Sequence, residues 1–420
     1  MEKIMKKYQS IIEKFGHPEQ YYKSLLKWGI LGVIMGVIGG LLGAGFHHAL
    51  HGVTHLREVH TWMIFLLPVG GLLIVGIYRV FGMRNNRGTN EIIEAILQGK
   101  EVNPLIAPVI FLATTITHML GGSAGREGAA LQLGGSVASK LGKLLKLAEN
   151  DRTVFIMSGM SAVFAGLFGT PLTATLFTME FASVGTIFSP ALLPCYLSAY
   201  VSSRVSASLG VHAETFILEN AVNFTVPMAG KVLILTMLTS MMGIVMCTLF
   251  HKTEHVAAKL IPNSWLRILS GAILVVFITL LVGDQRYNGA GMGMALAAVG
   301  GQAEWYDFII KMLLTAITLG SGFKGGEIVP TFCIGATFGC WIGGLLGLDP
   351  GLAGALGLVG LFCGVTNSPI ASIILSIEMF GGANIYLFAF VCVVEFVLSG
   401  QWGLYASQIQ QFSKTGTSRN

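Results

Sequence analysis

Long apolar stretches alternate with short polar ones along most of the 420-residue chain. Apolar runs approaching roughly 20 residues are typical of helices that cross the hydrocarbon part of a bilayer. The pattern therefore predicts an all-α polytopic membrane protein. The predicted spans are residues 28–44, 62–81, 104–120, 231–250, 268–282, 305–319, 329–346, 354–365 and 383–398.

Some predicted helices are too short or too interrupted to cross the membrane alone. Residues 88–96 form a short polar segment, in which Thr89 and Asn90 are typical of a helix N-terminus. Residues 153–206 are apolar but contain several glycines and prolines. Secondary transporters use helices that break inside the membrane to direct helix termini at a substrate. We therefore expect broken and tilted helices beside the full spans.

Two parts of the sequence repeat one another. The run from Phe164 to Glu180 shares its phenylalanine, first glycine, proline and final glutamate with the run that ends at Glu378, at an offset of 198 residues. A glycine-rich loop with a glutamate, Glu127 or Glu327, precedes each run. Two related halves that meet around broken helices are the layout of a secondary transporter. The expected divisions are a cytoplasmic amphipathic helix at 1–24, a first half at 25–206, an extracellular linker at 207–228, a second half at 229–408 and a polar tail at 409–420.

Composition agrees with a membrane protein and excludes other classes. Hydrophobic residues make up 53% of the chain and charged residues 11%, with a mean hydropathy of +0.71. A soluble chain of this length would carry more surface charge. The net charge of +5 gives no reason to expect nucleic acid as a partner. The six cysteines include no CxxC pair, so we expect no disulfide, no zinc site and no cofactor.

Three histidines, His47, His51 and His55, follow one another at intervals of four residues. This spacing places them on one helical face, where they could bind a metal ion. The interpretation we favour is the end of a helix at the membrane interface, without a metal.

The distribution of charge predicts the orientation in the membrane. Lysines are frequent in residues 3–27, and basic residues also mark residues 79–87, 140–152 and 252–267. The linker at 207–228 contains Glu214 and Glu219 but no lysine or arginine. Because basic loops remain on the cytoplasmic side, we expect a plasma-membrane protein with both termini in the cytoplasm and the linker outside.

The most unusual chemistry lies in the loop Gly125-Arg126-Glu127-Gly128, just before a predicted helix at 131–146. Glycines permit close approach of the backbone to a ligand, and a helix N-terminus offers free N–H groups and a partial positive charge. This arrangement is suited to a small anion. The carboxylate of Glu127 would compete with that anion until a proton neutralises it. A structural ion pair between Arg126 and Glu127 is the alternative.

These motifs resemble those of the CLC family of anion channels and transporters. The residues that carry the resemblance are the loop 125–128, the run Gly-Phe-Lys-Gly-Gly-Glu-Ile-Val-Pro at 322–330, and Leu404 with Tyr405. The resemblance covers about residues 25–410 and implies a homodimer with one anion pathway in each subunit. It also implies that Glu127 is the external gating glutamate and that Tyr405 is the central tyrosine. Main-chain N–H groups near Glu127, Gly128, Ile328 and Val329 would line the pathway. Arg126 could coordinate an anion there, but the role we favour is to hold the loop in place.

The sequence departs from the general CLC pattern at three places. The family's serine-containing Gly-Ser-Gly-Ile-Pro motif is replaced by residues 88–91, which makes Thr89 and Asn90 the candidate anion ligands there. Ile328 replaces a phenylalanine. Phe181 takes the place at which proton-coupled members often have an internal glutamate, so the adjacent Glu180 is the alternative inner proton relay.

Similar departures characterise the fluoride-exporting branch of the family, in which Gly-Gly-Glu-Val-Thr-Pro replaces the phenylalanine motif. This chain has Gly-Gly-Glu-Ile-Val-Pro at 325–330 and lacks the threonine. The resemblance implies transport of a halide, with fluoride favoured over chloride, in exchange for protons. The alternatives that share the fold are a chloride/proton antiporter and a passive anion channel.

Other residues allow competing interpretations. An intramembrane serine protease would need Ser161 and His118 as a dyad, but this interpretation explains neither the repeat nor the glutamate loops. We therefore do not expect an enzyme. For Glu327 we favour the capping of a helix N-terminus over a role in transport. Glu378 and Glu395 are acids at membrane depth without an obvious partner in the sequence.

Overall fold

The computed structural model describes residues 18–84, 86–216, 218, 222–411 and 414, and nearly all of its regular structure is α-helical. Two short strands, β1 (Ser183–Val184) and β2 (Ile409–Gln410), pair in parallel. The helices are α1 (Pro18–Val59), α2 (Leu67–Val80), α3 (Thr89–Gln98), α4 (Ile106–Met119), α5 (Glu127–Leu144), α6 (Glu149–Phe168), α7 (Pro171–Glu180), α8 (Leu192–Ser208), α9 (Val226–Leu260), α10 (Ser264–Val282), α11 (Met292–Val299), α12 (Asp307–Ser321), α13 (Ile328–Leu345), α14 (Pro350–Thr366), α15 (Pro369–Phe380) and α16 (Ile385–Leu398).

Several of the described helices have the length and composition of membrane spans. Every apolar run predicted from the sequence overlaps a helix, so the prediction of an all-α polytopic membrane protein is confirmed. Shorter apolar helices at Ile106–Met119, Pro350–Thr366, Pro369–Phe380 and Ile385–Leu398 accompany the long ones. The five long candidates are Glu19–Val59, Thr61–Val80, Val226–Leu260, Ser264–Val282 and Ile328–Leu345.

Some predicted boundaries are wrong. The first span, predicted at 28–44, is part of a 42-residue helix, because the polar residues on both sides of the apolar run continue α1 without a break. The apolar stretch 153–206 forms three helices, since Gly169 ends α6 at a φ of +71° and Pro171 begins α7. The predicted N-terminal amphipathic helix lies mostly outside the described residues.

The two halves of the chain contain the same succession of helices. Eight α-helices precede residues 209–225 and eight follow them within the described residues. In each set the third helix is short, and the seventh begins with a proline. This order extends the sequence repeat to the whole helical region.

The two glycine-rich loops meet in the middle of the molecule. Gly125 and Gly326 form an antiparallel bridge, with N–O distances of 2.6 and 2.8 Å. A Cβ atom on Gly326 would lie 2.7 Å from the main-chain nitrogen of Gly128, which is closer than a side chain tolerates. Glycine is therefore required here, and the N-termini of α5 and α13 are brought together from opposite halves.

Two glutamates cap the repeated short helices reciprocally. Glu180, at the end of α7, accepts hydrogen bonds from the N–H groups of Ile370 and Ala371 at the start of α15. Glu378, near the end of α15, accepts from the N–H groups of Leu172 and Thr173 at the start of α7. Glu378, for which the sequence left a packing role at a helix end and a proton route open, is found at a helix end, where the repeat places its carboxylate against free N–H groups.

The C-terminal segment returns to the centre of the protein. The main-chain nitrogen of Leu404 donates to the carbonyl of Val365 at 2.8 Å, and β2 pairs with β1 just after Phe181. The Tyr405 ring consequently meets the Phe181 ring edge-on, with 4.8 Å between their centroids. This loop places Tyr405 beside α7.

Candidate functional site

Glu127 occupies the point at which the two helix N-termini converge. Its side chain is fully buried at the first residue of α5. One carboxylate oxygen, Oε2, accepts from the main-chain N–H groups of Arg126 and Val329, both at 3.1 Å. The other oxygen, Oε1, is buried without a hydrogen-bond partner among the described residues. A negative group is thus held here by main-chain donors from both halves.

Two cavities are lined by residues that lie close to Glu127. The larger, about 790 Å³, includes His47, His51, Arg57 and His118 in its wall, and we call it the histidine cavity. Val329 and Arg126, which donate to Glu127, also line it.

The smaller cavity, about 370 Å³, includes Tyr405, Glu327, Gln132 and Asn90 in its wall, and we call it the tyrosine cavity. Thr89 lines it too, and a Cβ placed on Gly128 would lie 3.0 Å from the Thr89 hydroxyl. Glu127 therefore stands in the chain between Arg126, which lines the histidine cavity, and Gly128, which lies against Thr89 of the tyrosine cavity.

Thr89 and Tyr405 bring hydroxyl groups to the tyrosine cavity. Thr89 is the first residue of α3, and its Oγ1 lies 3.5 Å from the amide nitrogen of Gln132. Tyr405 is buried, and its hydroxyl has no hydrogen-bond partner within the described part of the chain. Since both residues line the cavity, an anion bound there could accept hydrogen bonds from their hydroxyls.

Asn90 lines the same cavity and also makes a structural hydrogen bond. Its Oδ1 accepts a hydrogen bond from the main-chain nitrogen of Ser407 at 3.0 Å. Asn90 therefore holds the loop that carries Tyr405, and only its amide nitrogen remains to meet a ligand.

Arg126 forms an ion pair with Glu214, a residue of the segment between the two halves. Its guanidinium also lies 5.0 Å from the centre of the Phe168 ring. These contacts support the role of Arg126 in fixing the loop beside Glu127. Ile328 is fully buried at the start of α13, next to Val329.

The predicted capping role of Glu327 is wrong. Glu327 stands at the N-cap position of α13, but its side chain accepts no capping hydrogen bond. It instead lines the tyrosine cavity with Lys324 and Glu254. The two loop glutamates thus differ, because Glu127 interacts with main-chain N–H groups and Glu327 is at the cavity wall.

The sequence interpretation missed the residues that hold the Glu127 loop. His118 Nε2 lies 3.2 Å from the carbonyl oxygen of Gly125, and a guanidinium nitrogen of Arg57 donates to the main-chain oxygen of His118 at 3.2 Å. Lys311 is fully buried and donates to Ser123 Oγ and to two carbonyl oxygens. A lone lysine within the apolar run 305–319 was the available signal.

The structure does not join Ser161 and His118 in a protease dyad. The Ser161 hydroxyl donates to the carbonyl of Cys195 at 3.2 Å, whereas the His118 ring contacts the carbonyl of Gly125. Each side chain therefore bonds to a different main-chain group.

The histidines of α1 do not form a metal centre within the described residues. His47 and His51 stack with 6.1 Å between ring centroids and line the histidine cavity, so they are not simply at a helix end. No group of three His, Cys, Asp or Glu residues in the described ranges could hold a metal ion.

Comparison with known proteins agrees with this geometry. The family model described as "Voltage gated chloride channel" matches residues 70–395. The "Chloride/fluoride channel protein" of Pseudomonas syringae pv. tomato is 34% identical over 413 residues, which cover 96% of this chain and 91% of that protein. The "H(+)/Cl(-) exchange transporter ClcA" of Vibrio campbellii is 25% identical over 378 residues, covering 83% of this chain and 81% of that protein.

A solved structure described as "Crystal structure of a CLC-type fluoride/proton antiporter" superimposes with a TM-score of 0.89 at 33% sequence identity. The alignment covers 92% of this chain and 98% of that one. The paired glycine loops, the inverted succession of helices and these matches lead to one conclusion. The chain belongs to the voltage-gated chloride channel family, the CLC family.

Proposed function

We propose that this protein exchanges a small halide for protons across the membrane, and that fluoride is the physiological anion. The observation that carries the proposal is the position of Glu127. Its buried carboxylate is held by the N–H groups of Arg126 and Val329, which line the histidine cavity, and the next residue, Gly128, lies against Thr89 of the tyrosine cavity. A halide can take the place of that carboxylate, because both accept hydrogen bonds from the same donors.

Protonation of Glu127 is the step that couples the two ions. The ionised carboxylate competes with the halide for the main-chain donors. A protonated side chain no longer competes, so the halide can enter as the proton is carried by the glutamate. We infer that Tyr405 and Thr89 then donate hydrogen bonds to the halide in the tyrosine cavity.

The choice of fluoride over chloride rests on two kinds of support. The fluoride/proton antiporter and the chloride/fluoride channel protein are each about one-third identical to this chain over most of its length. The hydroxyl and amide groups at 89–90 can supply the close donors that a strongly hydrated anion requires. A chloride/proton exchanger is the second candidate, favoured by the similarity to the Vibrio exchanger.

The decisive experiment is halide efflux from proteoliposomes, measured for fluoride and chloride in parallel with proton uptake. The proposal requires fluoride efflux that drives proton uptake against a proton gradient. Chloride efflux with proton uptake would support the second candidate. Halide efflux without proton movement would identify a passive channel and contradict the proposed exchange.

We also propose a homodimer in the plasma membrane, with both termini in the cytoplasm and the division into halves given above. Family membership supports the dimer, and the basic residues at 140–152 and 252–267 support the orientation. Cross-linking in native membranes and the accessibility of single cysteines at positions 143 and 214 would test both.

Replacing Thr89 by valine should reduce discrimination between fluoride and chloride. The substitution keeps the shape of the side chain but removes its hydroxyl from the tyrosine cavity. Because a hydrogen bond to a charged group contributes about 1.5–3 kcal/mol, we expect the fluoride-to-chloride transport ratio to fall roughly tenfold or more. Thr89→Ser keeps the hydroxyl and should preserve the ratio. An unchanged ratio in Thr89→Val would remove Thr89 from the selectivity site.

Replacing Glu180 by glutamine should reduce stability and leave coupling intact. The carboxylate accepts hydrogen bonds from two main-chain N–H groups at the start of α15. Loss of its charge is therefore expected to lower the free energy of unfolding by about 1 kcal/mol. Glu378→Gln is the matched control, since it loses the equivalent cap on α7. Thermal unfolding should shift by a similar amount in both variants, and the proton-to-halide ratio should stay at the parent value in both. Selective loss of proton flux in Glu180→Gln would instead make Glu180 the inner relay.

A further inference from the structure

An apolar groove lies on the outer surface between α2 and the start of α10. Its volume is about 440 Å³, and almost none of its lining is polar. Gly76 contributes no side chain to the groove, although there is room for one. A Cβ at this position would lie 3.6 Å from the ring of Trp265, in ordinary contact. The lining residues are Val69, Leu72, Leu73, Gly76, Ile77, Val80, Phe81 and Trp265.

The length of the groove corresponds to one leaflet of a bilayer. The α2 residues from Val69 to Val80 extend over about 17 Å at 1.5 Å per residue. This is close to half of the ~30 Å hydrocarbon thickness. A single acyl chain that runs along α2 would therefore lie in the groove over the full thickness of its leaflet.

Two arginines that form no ion pair within the described part of the chain stand at one end of the groove. The exposed guanidinium of Arg79 lies 5.1 Å from the centre of the Trp265 ring and 3.4 Å from the hydroxyl of Ser264. Arg84 follows three residues after Phe81 and is also exposed. The sequence has no Asp or Glu at 62–90 or 255–283, the two stretches that form this part of the surface.

We propose that this groove binds an anionic phospholipid, with its phosphate near Arg79 and one acyl chain along α2. An arginine held over a tryptophan, with a hydroxyl beside it, is suited to a phosphate group at the membrane surface. The apolar groove would hold the acyl chain of the lipid, and the two arginines would attract its negatively charged headgroup. A zwitterionic lipid would use only the first of these features.

Trp265 provides a direct optical probe. The protein is reconstituted into phosphatidylcholine vesicles that contain an equal mole fraction of either brominated phosphatidylglycerol or brominated phosphatidylcholine. The Trp265 signal is the difference in tryptophan fluorescence between the protein and its Trp265→Phe variant. We expect the brominated anionic lipid to quench this signal at about fivefold lower mole fraction, the effect of one arginine near the surface.

Two variants separate the headgroup from the acyl chain. Arg79→Gln should abolish the preference for the anionic lipid while both lipids still quench. Gly76→Leu should fill the groove and weaken quenching by both lipids. Lys143→Gln, a change at an exposed lysine paired with Glu101, should alter neither result.

Three outcomes would overturn the proposal. Equal quenching by the two lipids in the unmodified protein would show ordinary boundary lipid. A preference that persists in Arg79→Gln would exclude the proposed headgroup site. The absence of quenching by either lipid would show that another molecule, such as a second copy of the chain, covers the groove.

Discussion

Glu127→Gln is expected to abolish proton transport, whether or not halide movement persists. The amide resembles the carboxylate in size but cannot bind and release a proton at neutral pH. Loss of a positioned proton-transfer group costs about 100-fold or more, so proton uptake should fall to the leak of empty vesicles. Simultaneous recording of halide efflux and external pH from proteoliposomes provides the measurement.

Glu395→Gln is the matched control for this experiment. Glu395 is likewise fully buried, accepts a hydrogen bond from Thr239 at 3.0 Å and has one carboxylate oxygen without a partner in the described residues. Its donor Thr239 lines neither cavity, whereas both donors to Glu127 line the histidine cavity. The control should therefore retain the parent ratio of protons to halide. Unaltered coupling in Glu127→Gln would contradict the assignment of Glu127.

The centre of the site could be predicted from the sequence because the repeat specifies it. Two glycine loops at equivalent positions of two halves must lie near each other in an inverted repeat. The structure confirms this proximity through the bridge between Gly125 and Gly326. The segment 88–96 was also recognisable, since its polar helix start is unusual among apolar spans.

The partners of individual charged side chains could not be predicted in the same way. Glu180 and Glu378 occupy equivalent positions of the repeat, yet each caps a helix of the other half. Their contacts depend on how the halves pack, which local sequence does not specify. Glu214 presents the same difficulty, because it reaches Arg126 from a segment without regular secondary structure.

Helix ends were the least predictable feature of the fold. Hydropathy detects the apolar middle of a span, whereas helices continue through polar residues until a glycine, a proline or a lost hydrogen bond ends them. The long helix α1 shows this. It continues beyond the predicted span at 28–44 and includes His47 and His51, which line the histidine cavity.

Lys311→Met is expected to destabilise the protein and to slow halide transport. The Lys311 ammonium donates to Ser123 Oγ and the Tyr287 carbonyl at 3.0 Å, and to the Gly289 carbonyl at 2.6 Å. No carboxylate in the described ranges forms an ion pair with it. Methionine cannot donate these hydrogen bonds, and it removes a positive charge that lies behind the Glu127 loop.

Two effects oppose each other in this variant. Removal of a buried charge relieves its desolvation cost, but the acceptors left without a donor each cost about 1–3 kcal/mol. We expect a net loss of about 2 kcal/mol in unfolding free energy and a roughly tenfold fall in transport, since the loop of Ser123 also carries Glu127. Thermal unfolding of the purified protein and halide efflux per folded protein measure the two changes. Lys143→Met, at an exposed ion pair, should change stability by less than about 1 kcal/mol.

Lys311→Gln separates the charge of this residue from its hydrogen bonds. The amide can donate to the carbonyls of Tyr287 and Gly289 but is neutral. If the positive charge helps to hold the anion, glutamine should recover stability without recovering transport. If Lys311 only positions the loop, glutamine should recover both. Parent stability and parent transport in Lys311→Met would contradict either role, because the buried network would then be dispensable.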